Sequence, residues 1–155
     1  MKSLLSAKNL IAVALILFGI VVAVTNAPKP IIDEDEIAIL DIKQPSPEIL
    51  ALVSPTAKLI TDPTDRAKLA IFNQEFATRI RDYTTDNQKT NDVYVLAASY
   101  FFKDGLKDKY DNLDNSIVKL LESSIGDENH ILTDEEKSDI TAKFMGLAWA
   151  LIQKP

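Results

Sequence analysis

The chain carries one histidine, His130, and no cysteine. Nucleophilic catalysis needs a base held against its nucleophile. A single histidine between Asn129 and Ile131 reads instead as a solvated or capping loop residue. Without cysteine there are no disulfides, no thiol chemistry and no cysteine-bound zinc or iron–sulfur cluster. Histidine-rich metal centres are excluded as well.

Carboxylates are the remaining source of chemistry. Asp108, Asp111 and Asp114 recur at three-residue steps. A calcium loop of the EF-hand kind needs alternating oxygen ligands, a central glycine and a terminal glutamate. The segment has neither that spacing nor that glycine, so turn and capping chemistry accounts for it. Asp134, Glu135, Glu136 and Asp139 form an acidic patch that a helix N-terminus favours without any metal. Paired acids of a glycoside hydrolase would need a catalytic glutamate leading into a turn-rich hairpin, and neither Glu75 nor Glu122 does so. No catalytic, cofactor-binding or metal-ligating residue is expected. An unrecognised carboxylate-based enzyme stands as an alternative that a pocket of buried carboxylates would revive.

Composition narrows the partners. Of 155 residues, 46% are hydrophobic and 26% charged, a globular balance, and only four are glycine, too few for phosphate loops or dense β-turns. Residues 1–30 carry Lys2, Lys8 and Lys29 and no acid, leaving 14 basic against 23 acidic side chains in the remainder, a net charge of −9. Such a body repels phosphate backbones, so no nucleic-acid partner is expected.

The N-terminal segment has a different character. Leu10 to Val24 is fifteen residues without a polar side-chain atom, preceded by two lysines and followed by Asp33-Glu34-Asp35-Glu36. Counted from Ala7 to Ala27, the stretch is long enough to span a bilayer. The positive-inside rule keeps the N-terminus cytoplasmic and sends the body to the periplasmic or extracellular side. Two readings follow. A retained single-pass anchor is favoured over a cleaved signal peptide, because cleavage after Ala27 would leave Pro28 as the first mature residue, which suits a peptidase poorly.

The sequence therefore divides into residues 1–27, a membrane anchor or signal; 28–45, an acidic and proline-bearing linker; and 46–155, an all-α bundle of four to five helices. Within the linker, Glu36 to Ile42 is apolar enough to dock as an extended arm. Helix starts are written at Ser46-Pro47-Glu48, at Asp62-Pro63 and, as a capping box, at Thr133 to Glu136. Between Ser46 and Thr61, Pro55 predicts two short helices joined at Ser54-Pro55. Asp62–Tyr83 presents Leu69, Phe72, Phe76 and Ile80, with Arg66, Lys68 and Arg79 assigned to other faces. Further helices are expected over Thr90–Lys103, ended by Gly105, over Asn112–Ile125, closed by Gly126, and over Thr133–Gln153. The last of these is apolar nearly all round from Phe144 to Ile152. It is either the central helix of the bundle or one that turns a second face to a partner or the membrane surface.

Asp65 to Asn73, Asn91 to Ala98 and Gly126 to His130 resemble segments of small uncharacterised phage-encoded proteins. The resemblance covers most of the body and contains no catalytic motif. It implies a protein that acts at a host envelope or in a virion, such as a lysis regulator or an exclusion factor. From the residues themselves, the leading expectation is a membrane-anchored, non-enzymatic interaction module. Its protein partner would be met through Tyr94, Tyr110, Met145, Trp149 or Ile152, since aromatic and large apolar residues favour interfaces.

Overall fold

A computed structural model describes residues 42–83, 88–102, 105–126 and 128–153. The segment Leu10–Val24 and the linker up to residue 41 lie outside the described residues. Among the described residues, no helix is long and apolar enough to cross a membrane.

The body is mostly helical, with α1 (Pro47–Leu59), α2 (Pro63–Arg81), α3 (Thr90–Phe101), α4 (Leu106–Lys109), α5 (Leu113–Ile125) and α6 (Asp134–Ile152). The start signals work as their chemistry requires. Ser46 Oγ accepts from the Ile49 amide at 3.3 Å, with Pro47 at the first helical position. The Asp62 carboxylate accepts from the Thr64 and Asp65 amides at 2.9 and 3.1 Å. At α6, Thr133 Oγ1 accepts from the Glu136 amide while Glu136 Oε2 accepts from the Thr133 amide. Gly126 closes α5 with φ of 64°, a left-handed conformation that glycine adopts without strain.

Three expectations need correction. The described residues form six helices, not four to five, because Leu106–Lys109 adds a single turn. Residues 47–59 form one helix through Pro55, not two joined at it. Pro55 lies on the exposed side, where a carbonyl deprived of its amide partner meets water, and the neighbouring Ser54 hydroxyl donates to the Leu50 carbonyl at 2.6 Å. The helix from Thr90 ends at Phe101; Gly105, with φ of 72°, instead leads into the single turn of α4.

Helix α6 runs through the centre, packed on α1, α2 and α5, and α3 closes the far side against α2 and α5. Phe76, Phe101 and Phe144, all fully buried, meet at the middle with ring centroids 4.6–5.7 Å apart. The apolar character of α6 thus follows from its central position. At Gly146 the first turn of α1 crosses so closely that Ile49 Cγ2 occupies the space of a side chain, with Pro45 in van der Waals contact beside it. Ile42 also packs on the core, so the last residues before α1 dock onto the bundle.

Candidate functional site

The ionisable groups best placed for chemistry sit at four points. The first is Arg66, in the opening turns of α2 and 7% exposed. Its guanidinium donates to five backbone carbonyls: Nε to Leu151, Nη1 to Ala57 and Ile60, and Nη2 to Ala150 and Gln153, at 2.8–3.1 Å. A guanidinium has five N–H donors, so none is left over. The carbonyls belong to the C-terminal ends of α1 and α6, the negative ends of both helix dipoles, where backbone amides run short; of the five, Ala57 also accepts from an amide, that of Ile60 at 3.4 Å. A groove of about 430 Å³ opens beside Arg66, lined also by Ser54, Ala57, Lys58, Ile60, Thr61 and Ala150. It contains no carboxylate, and its buried cation has no donor to offer a ligand.

The second point is Lys143 on α6, 5% exposed, whose Nζ lies 2.6 Å from Asp139 Oδ2 and 2.9 and 2.8 Å from the hydroxyls of Ser123 and Ser124. A serine beside a lysine could serve as a nucleophile and base only if the lysine shed its proton. Here Nζ donates to Asp139 and to both serine oxygens, and the Ser123 hydroxyl is turned to the Leu120 carbonyl, so neither group is arranged for that role.

At the third point Tyr110 donates to Asp65 Oδ2 at 2.5 Å, and Lys109 reaches the same carboxylate at 2.6 Å. The bonds from Lys109 and then Tyr110 hold the Asp65 carboxyl below its usual range. At the fourth, His130 places Nδ1 against the Glu128 carbonyl at 2.8 Å and Nε2 against Glu136 Oε1 at 2.7 Å. Those two bonds raise its pKa above the ordinary value. Burial raises the Glu75 carboxyl, against the pull of Arg79, and it pushes the Tyr83 hydroxyl up to about 12. Among the described residues, no group of three or more histidines or carboxylates is arranged to hold a metal ion.

The sequence-predicted contact residues fall in different places. Tyr110 is buried, with its hydroxyl taken by Asp65, and so does not offer a contact surface. Tyr94 and Met145 are half-buried and packed against the core, and Trp149 is half-buried. Ile152 is 43% exposed. Met145, Trp149 and Ile152, four and three residues apart, share one face of α6. Leu52 at 41% and Ile131 at 54% exposure are further apolar surface residues.

Arg66 and Lys143 were assigned no buried role by sequence, although the spacing contains the signal. Arg66 precedes Leu69 by three residues and continues the stripe 69, 73, 76, 80. Lys143 lies three residues after Ile140 and four before Leu147. A charged residue in register with a buried stripe is carried toward the interior, where it must find partners.

Compared with protein families, curated proteins and solved structures, the chain finds no match in any of the three.

Proposed function

We propose that the chain is a single-pass, membrane-anchored, non-enzymatic interaction module with its helical body on the non-cytoplasmic side. The observation that carries the reading is the inward commitment of the body's chemistry. Arg66, Lys143, Asp65 and the His130–Glu136 pair each bind the fold itself. The large apolar side chains that α6 leaves partly exposed are Met145, Trp149 and Ile152. The apolar run Leu10–Val24 supplies the location, and the lysines before it with the acids after it supply the direction. The partner is a protein, because a body of net charge −9 opposes nucleic acid.

The test is recovery of the full-length chain from its native membranes after cross-linking. A stoichiometric partner should be captured by the unaltered chain and lost from a Trp149→Ser, Ile152→Ser variant that keeps its helicity. Equal recovery by both forms, or no partner with either, would contradict the reading.

A further inference from the structure

The connection between α5 and α6 is tied to the start of α3, about 40 residues away in sequence, by several hydrogen bonds, the longest from the Thr90 hydroxyl to Asn129 Oδ1 at 3.4 Å. The Thr90 amide donates to the His130 carbonyl at 2.9 Å, and the Leu132 amide to the Gln88 carbonyl at 2.8 Å. The Thr90 hydroxyl donates to the Glu128 carbonyl at 3.0 Å, and the His130 amide to that hydroxyl at 3.3 Å. Lys89 and Ile131 form an isolated antiparallel bridge at the same place. We propose that this connection is a proton-operated latch, closed when the His130 imidazolium joins the Glu128 carbonyl to the Glu136 carboxylate, and loosened when the ring loses a proton.

The geometry supplies the reason. Both ring nitrogens face oxygens that only accept, a carbonyl and a carboxylate. A neutral imidazole has one N–H, so one nitrogen would point a lone pair at an oxygen lone pair. Only the doubly protonated ring satisfies both sides. The Glu128 carbonyl accepts from the ring and from the Thr90 hydroxyl together, so the state of the ring is felt at α3 through one atom. Glu136 stays in place in either state, because Thr133 donates to it through both its amide and its hydroxyl.

The charges that face the ring are those of Glu136 on α6 and Glu128 on the connection itself. From α3 comes the neutral Thr90; the charged residues beside it, Lys89 and Asp92, hold their own turn, with the Lys89 amide donating to Asp92 Oδ2 at 3.0 Å. Burial opposes the Glu136 charge, but the bonds from Thr133 and His130 outweigh it and keep the carboxyl below its ordinary value. The folded-state pKa of His130 lies above the unfolded one. The latch therefore contributes fully below the ordinary histidine value of 6.5 and is lost as pH rises through the raised folded value.

His130 is the single histidine, so its ring signals are unambiguous in a magnetic-resonance titration of the full-length chain in detergent micelles. The expected midpoint lies above 6.5. The Thr90 and Leu132 amide shifts should follow the same midpoint, with faster hydrogen exchange on the alkaline side than intrinsic chemistry accounts for. Glu136→Gln keeps an acceptor for Thr133 and removes the charge, and should lower the midpoint. His130→Asn should abolish the transition at Thr90 and Leu132. A midpoint at or below 6.5, amides that ignore it, or a transition that persists in His130→Asn would overturn the proposal.

Discussion

Two buried cations stand on the two central helices and are satisfied in opposite ways. Arg66 on α2 is answered by backbone alone, five carbonyls from the ends of two helices. Lys143 on α6 is answered by side chains alone, Asp139 and two serines. Backbone carbonyls at a helix end cannot move away or change their chemistry. Side-chain partners can turn to water or to their own helix. Arg66 is therefore a fixed joint holding α1, α2 and α6 together, and Lys143 is a replaceable filling between α5 and α6.

The largest expected effect breaks the fixed joint. Arg66→Met removes the shared donor of five carbonyls at the ends of α1 and α6, those of Leu151 and Ile60 buried, and should lower stability by about 3–5 kcal/mol in denaturant unfolding. Arg66→Lys keeps the charge but replaces five planar donors by three on one atom, so it should recover less than half of that loss. Full recovery by lysine would show that charge, not donor geometry, holds the joint.

An intermediate effect is expected where α1 crosses α6. A Cβ at Gly146 would overlap Ile49 Cγ2. Gly146→Ala should destabilise by about 1–2 kcal/mol in thermal unfolding, the overpacking exceeding the helix-propensity gain.

Lys143→Met should cost less than about 1 kcal/mol, although the side chain is equally buried. Asp139 is 39% exposed and can be solvated, and both serine hydroxyls already have the Leu120 carbonyl in reach. A loss as large as that of Arg66→Met would erase the distinction between the two cations.

The smallest effect concerns Asp65. Its folded pKa lies below its unfolded value of 3.8, so its contribution is present above 3.8 and disappears as pH falls through the lower folded value. Asp65→Asn should cost at most about 1 kcal/mol at neutral pH, since Lys109 is largely exposed, and nothing in strong acid. Unfolding midpoints across that range check it.

The helix starts were legible because caps are local chemistry: Ser46, Asp62 and Thr133 each bond amides two or three residues on. Pro55 misled because a proline's cost depends on whether the deprived carbonyl is exposed, which is a tertiary fact. Arg66 was assigned to a polar face because its residue type outweighed its position in the stripe. Its partners at residues 150–153 lie more than 80 positions away, and no local pattern announces them. Tyr110 read as a surface aromatic for the same reason: Asp65, which takes its hydroxyl, is 45 residues distant. The central position of the last helix was legible as one of two readings, since an all-round apolar helix is built for burial.

The proposed membrane location rests on Leu10–Val24. The most direct measurement is the intact mass of the protein recovered from washed membranes of cells that express the full chain. Retention of the anchor predicts 17.2 kDa in the membrane fraction. A shorter, soluble product beginning at Pro28 would contradict it.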